Sequence, residues 1–153
     1  MSYAVKFVGG RRIVELMEAS VSSDERRFTL VVDGASLTDL SFLPYYSPGV
    51  AVTDGHVAVW AGARIYIVPS DGAAPRAVEM EEEVLAAYFV GGSWCLVCET
   101  SVVTLDRSYQ VAVKFEHCEV FTRCWWDGGE LIVLDFQGSK MSFSESSLVS
   151  PQS

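Results

Sequence analysis

The chain is poor in histidine, in proline and in positive charge. It has two histidines, five prolines and eleven lysines and arginines in 153 residues. Histidine is the usual general base and the commonest metal ligand. With only His56 and His117, few catalytic arrangements can be built. No serine stands in a G-x-S-x-G elbow. There is no G-x-x-x-x-G-K-[ST] or G-x-G-x-x-G phosphate loop and no D-x-[DN]-x-[DN]-G calcium loop. No apolar run approaches the roughly 18 residues of a membrane span. The opening "MSYAVKFVGGRR" carries neither a basic-then-apolar leader nor a small-residue cleavage site, so a cytoplasmic location is expected. The four cysteines show no disulfide-framework spacing, which fits that compartment.

Acidic residues number 20, giving a net charge of −9. The excess is uneven: residues 1–50 hold 5 basic and 6 acidic side chains, and residues 51–153 hold 6 and 14. Such a field repels nucleic acid and anionic lipid and favours a basic protein partner. Half the residues are apolar and the mean hydropathy is +0.25. That implies a well-filled core, or an apolar surface covered by a partner.

A repeat is present. Asp54-Gly55 precedes "HVAVWAGARIYIV", Gly91-Gly92 precedes "SWCLVCETSVVTL" and Gly128-Gly129 precedes "ELIVLDFQGSKMSF". Gly55, Gly92 and Gly129 are evenly spaced by 37 residues. At that offset Val57, Trp94 and Leu131 align, as do Val59, Leu96 and Val133. The third copy drifts after Gly138, with Met141 and Phe143 taking the apolar slots one or two residues late. Each copy reads as a strand, a tight turn using positive φ at Asp-Gly or Gly-Gly, a second strand, a break and a third strand. A fourth strand shows twice, as "PRAVEME" and "QVAVKFE", with Ala77, Glu79 and Glu81 opposite Val78 and Met80. In the first 44 residues "SYAVKFV", "RRFTLVVDG" and "ASLTDLSFLP" read as strands. "RRIVELMEAS" has Ile13, Leu16 and Met17 at helical spacing, but strand is favoured by its surroundings.

Several short antiparallel strands per 37 residues resemble the blades of a β-propeller, and "YSPGVAVTDGHVAVW" looks like a blade-to-blade passage. The Gly-His and Trp-Asp pairs of WD40 repeats are not placed at this period. The resemblance covers about residues 45–144 and implies an all-β, propeller-like repeat of about four small sheets. The chain is expected to be one domain: a divergent N-terminal unit (1–44), three repeats (45–144) and a polar tail (145–153). A partial ring leaves an open sheet edge, so pairing of two chains into a homodimer is expected.

Cys95-x-x-Cys98, His117-Cys118 and Cys124 invite a zinc reading. Against it, residues three apart on a strand face opposite ways, and Cys95, Cys98 and Cys124 align with Ala58, Ala61 and Ala87. They read as small core residues, with no metal or other cofactor. Asp54, Asp106, Asp127 and Asp135 fall at turns and strand ends, where aspartate serves the backbone. A glycosidase-type pair would require two carboxylates to converge.

The candidate binding residues are therefore surface features. Phe42, Tyr45 and Tyr46 lie in the loop "FLPYYSPG". Trp125 and Trp126 are adjacent on a strand, one facing the core and one away. Glu79, Glu81, Glu82 and Glu83 form an acidic run. These point to a non-catalytic interaction module for a basic protein, such as an inhibitor or immunity-type protein. The alternative is a carbohydrate-binding protein stacking sugars on the aromatics.

Overall fold

The computed structural model describes residues 4–9 and 11–148. Its elements are nearly all strands. β1 (Ala4–Gly9), β2 (Arg12–Val21), β3 (Arg26–Val32) and β4 (Ala35–Phe42) form one sheet; β5 (Gly49–Val52), β6 (His56–Ala61), β7 (Arg64–Pro69) and β8 (Arg76–Glu79) form a second. A third contains β9 (Val84–Val90), β10 (Ser93–Cys98), β11 (Ser101–Leu105) and β12 (Val111–Glu116). The fourth has three strands, β13 (Phe121–Asp127), β14 (Glu130–Asp135) and β15 (Lys140–Ser144), followed by the short helix α1 (Glu145–Leu148). All ladders are antiparallel. Among the described residues no helix is long and apolar enough to cross a membrane.

The all-β class and the four small sheets are as the sequence implies. The segment 12–21 is a strand: Val14 and Leu16 are fully buried while Ile13 and Met17 are exposed, a period of two rather than 3.6. The segment 77–81, which runs past the end of β8, alternates as read, with Val78 and Met80 half-buried and Ala77, Glu79 and Glu81 exposed.

The chain divides into two compact units, Met1–Glu81 and Glu82–Ser153. The first holds the sheets β1–β4 and β5–β8, whose common core includes Leu16, Phe28, Leu30, Phe42, Val57 and Val59. The second holds β9–β12 and β13–β15 around Cys95, Val97, Val102, Phe121, Leu131 and Val133. Of the expected polar tail, 145–148 forms α1, whose Leu148 is 1% exposed and belongs to this second core. Residues 149–153 of that tail lie outside the described residues.

The three hinge glycines are not equivalent. Gly91-Gly92 (φ 56° and 83°) and Gly128-Gly129 (φ 58° and 82°) form two-residue turns with both residues left-handed, as the β-hairpin twist favours. Gly55 lies outside the left-handed region. There the Thr53 hydroxyl accepts the His56 N–H at 2.9 Å, and the Thr53 N–H donates to the His56 carbonyl at 2.9 Å. A side chain thus closes the first hinge where positive φ closes the others. The third hairpin is one residue longer than the other two: Val57 pairs with Val68, but Leu131, two periods on, pairs with Phe143.

Candidate functional site

The residues singled out from sequence fall in different settings. Phe42 is a correction of place: it closes β4, is 2% exposed, and packs edge-on to Phe28 and Tyr66 at centroid distances of 6.3 and 5.3 Å. It follows Leu40 by two residues and so extends the inward face of the strand. Tyr45 is 77% exposed, with its hydroxyl donating to the Ser23 carbonyl at 3.4 Å. Tyr46 is half-buried on Gly62, where an added Cβ would come within 2.7 Å of its ring. Trp126 packs into the second unit's core, edge-on to Tyr88 at 5.8 Å. Trp125 projects from the other face with the Arg123 guanidinium 5.3 Å from its ring.

The acidic run is partly engaged within its own units. Glu79 accepts the Arg64 guanidinium. Glu82 accepts the Thr100 N–H (2.9 Å), the Thr100 hydroxyl (2.8 Å) and the Ser101 hydroxyl (2.7 Å). Burial raises the Glu82 carboxyl, but the hydrogen bonds from Ser101 and Thr100 outweigh it and hold the group below the usual carboxylate range. The Glu83 carbonyl accepts the Glu99 N–H, and Glu81 is exposed.

A second tie of the same kind joins His117 to Asp135. His117 Nε2 lies 2.9 Å from Asp135 Oδ2, and the ring stacks on Phe121. Asp135 Oδ1 accepts the N–H groups of Gln137 and Ser139 at 2.9 and 2.8 Å. The His117 hydrogen bond, then the two backbone donors, hold the Asp135 carboxyl below its ordinary value against the opposing effect of burial. In both cases a residue preceding the first strand of a sheet grips the turn between two later strands. The geometry is that of a clasp for loops.

The cysteines are core residues in large part. Cys95 and Cys98 are buried, Cys124 is half-buried and Cys118 is exposed. Burial pushes the Cys95 and Cys98 thiols up to about 12, and raises Cys124 too. Among the described residues no group of three or more histidine, cysteine, aspartate or glutamate side chains is placed to hold a metal ion.

The second unit carries a shallow concave feature. An open recess of about 320 Å³ is lined by Tyr88, Phe89, Val90, Gly91, Trp126, Gly129 and Glu145. It lies beside the two glycine turns, where β9 meets β10 and β13 meets β14. Phe89 is 44% exposed and packs against Trp94 at 5.2 Å. The Tyr88 hydroxyl lies 3.4 Å from Cys124 Sγ, and burial raises this phenol above its usual range. Exposed carboxylates surround the same end: Asp127 pairs with Glu130 across the turn, and Glu130 pairs with Ser144, the neighbour of Glu145. Of these residues only Trp126 was a sequence candidate. A signal for Tyr88 and Phe89 existed: Tyr88-Phe89 and Trp125-Trp126 occupy matching places in the repeat, each doublet one residue removed from a Gly-Gly hinge.

No protein-family model matches the chain, and no curated protein matches its sequence. Solved structures do. The computationally designed Ika4 protein matches with a TM-score of 0.62 and 10% identity over 86% of this chain and 84% of its own. BBS1N, crystallised in complex with ARL6DN, matches with a TM-score of 0.58 and 12% identity over 92% of this chain and 49% of its own. HIRA(644-1017) matches with a TM-score of 0.54 and 11% identity over 97% of this chain and 51% of its own. The fold is β-propeller-like. The chain spans about half the length of the BBS1N and HIRA chains and most of the designed one. At these identities a propeller-like likeness describes architecture, and no specific family is indicated.

Proposed function

We propose that this propeller-like chain is a non-catalytic protein–protein interaction module that binds a basic partner, in the manner of an acidic inhibitor or immunity-type protein in the cytoplasm. The observation that carries the reading is the charge of the second unit, where residues 82–153 hold ten acidic side chains and four basic ones. Many of these carboxylates are exposed at strand ends and turns: Glu116, Asp127, Glu130 and Glu145. A rigid sheet scaffold holds such turns in fixed positions, and binding residues commonly sit there. BBS1N, of similar fold, was crystallised with a protein partner. The polar clusters at Glu82 and Asp135 are occupied in tying loops to turns, which supports a binding role over catalysis.

Pairing of two copies belongs to the same proposal, supported by the exposed Ile13, Met17 and Val21 along β2. Light scattering at rising concentration tests it: a strict monomer refutes it.

The binding proposal is tested by measuring association with a panel of basic nucleases at 50 and 300 mM salt. Saturable one-to-one binding that weakens at the higher salt supports it. Binding that ignores salt, or no binding to any of the panel, overturns it. A glycan array read by tryptophan fluorescence addresses the carbohydrate reading, which a saturable shift with one glycan would favour.

A further inference from the structure

The recess at the glycine-turn end of the second unit combines three features that recognise one chemical class. Its walls carry the rings of Tyr88 and Trp126, which pack edge-on at 5.8 Å. Glu145 supplies an acidic group in the wall itself, and Asp127 and Glu130 stand at the same end by strand register. Among the described residues none of these three carboxylates has a salt-bridge partner.

The basic residues of the unit are elsewhere. Arg123 and Lys140 both pair with Leu134, four positions along β14 from Glu130. At about 3.3 Å per residue that is roughly 13 Å away, beyond the Debye length of about 8 Å at physiological salt. Arg107 lies in the turn between β11 and β12 and Lys114 within β12, the strand at the opposite edge of its sheet from β9. The local field at the recess is therefore negative, beside aromatic rings of the kind that attract cations.

We propose that this recess receives a single cationic side chain, lysine or arginine, from a protein partner. The inference rests on the reading of the chain as a binder of a basic protein and names the place where that partner is gripped. A volume of about 320 Å³ accommodates one ammonium or guanidinium on its methylene stem. The stem lies along the rings and the charged head meets Glu145. A sugar is a poorer fit. Its hydroxyls need several donors and acceptors, whereas the lining side chains offer the Tyr88 hydroxyl, already in contact with Cys124 Sγ, the Trp126 indole N–H and one carboxylate.

The test uses the full chain and NMR titration with three short peptides of equal length: arginine-rich, lysine-rich, and one with citrulline replacing arginine. The cationic peptides are expected to shift the Trp126 indole N–H and the Tyr88 ring resonances, and the citrulline peptide to leave them in place. Glu145→Gln is expected to weaken cationic binding about three- to fivefold. Glu145→Gln, at an exposed side chain, is the deciding variant.

If cationic peptides bind with shifts centred elsewhere and an affinity unchanged by Glu145→Gln, the recess assignment is refuted while the basic-partner reading stands. If none binds at 50 mM salt, both fall. Equal shifts from the citrulline peptide, or from a glycan, overturn the choice of a cation.

Discussion

Replacing each hinge glycine by alanine separates sequence equivalence from conformational equivalence. Gly92 and Gly129 have φ of +83° and +82°, and a Cβ built at either meets nothing within 4 Å. The cost of Gly92→Ala or Gly129→Ala is therefore conformational alone. A non-glycine residue in the left-handed region costs about 1–2 kcal/mol, so each variant should lose about that much. Gly55 holds the same place in the 37-residue period and also meets nothing within 4 Å, but its φ lies outside that region. Gly55→Ala removes backbone freedom from the unfolded chain without straining the folded one, and should be neutral or stabilising by about 0.4–1 kcal/mol. Urea denaturation followed by tryptophan fluorescence, with native-state hydrogen exchange at each hairpin, measures all three. If Gly55→Ala destabilises as much as Gly129→Ala, the role assigned to the Thr53 hydroxyl is wrong. Thr53→Val, which removes that acceptor, should then be harmless; on the present account it costs about 1 kcal/mol.

Other expectations follow from the same geometry. Gly49→Ala would place a Cβ within 2.4 Å of the Trp60 ring, so the ring or the strand must move, with a loss of about 1–3 kcal/mol in thermal or urea unfolding. The Asp135 carboxyl is held below its ordinary value, so its contribution is present above the unfolded-state value near 4 and disappears as pH falls through the lower folded value. In melts between pH 6 and pH 2, Asp135→Asn should lower stability at pH 6 and flatten the acid limb; an unchanged limb would contradict the clasp. A thiol reagent at pH 8 should find Cys118 fast and Cys95 and Cys98 slow in the native protein, since burial holds the latter two near 12. Cys118→Ser should remove the fast phase, and a fast phase that survives it would contradict the assigned burial.

The parts of this molecule visible in its sequence are those set by local periodicity. A buried strand face needs an apolar residue at every second position, and a two-residue hairpin needs residues that tolerate positive φ. Val57 and Val59, Leu131 and Val133, and the glycine pairs advertise both. Even the helical spacing of Ile13, Leu16 and Met17 yields once Val14 and Leu16 are seen to alternate. Side-chain partnerships across 15 to 19 residues were not visible. Nothing near Glu79 or Glu82 announces that Arg64 will hold the first and Thr100 and Ser101 the second. Read as a free acidic run, the segment 79–83 is instead partly consumed in local structure. Phe42 was misplaced because the prolines and tyrosines after it suggest a loop, while the alternation through Leu40 extends the strand. Glu145 reaches the recess only because β15 ends beside the Gly128-Gly129 turn, a consequence of sheet order.

Every ladder among the described strands joins neighbours in the sequence, and none of the paired residues is further apart than Val14 and Val32. For an all-β chain this is an unusually short reach. Loop-closure entropy is modest at each step, and folding should be quicker than that of sandwiches whose strands must find distant mates. It also makes the meander a modular unit of synthesis: each one can zip up as it leaves the ribosome, without waiting for residues not yet made.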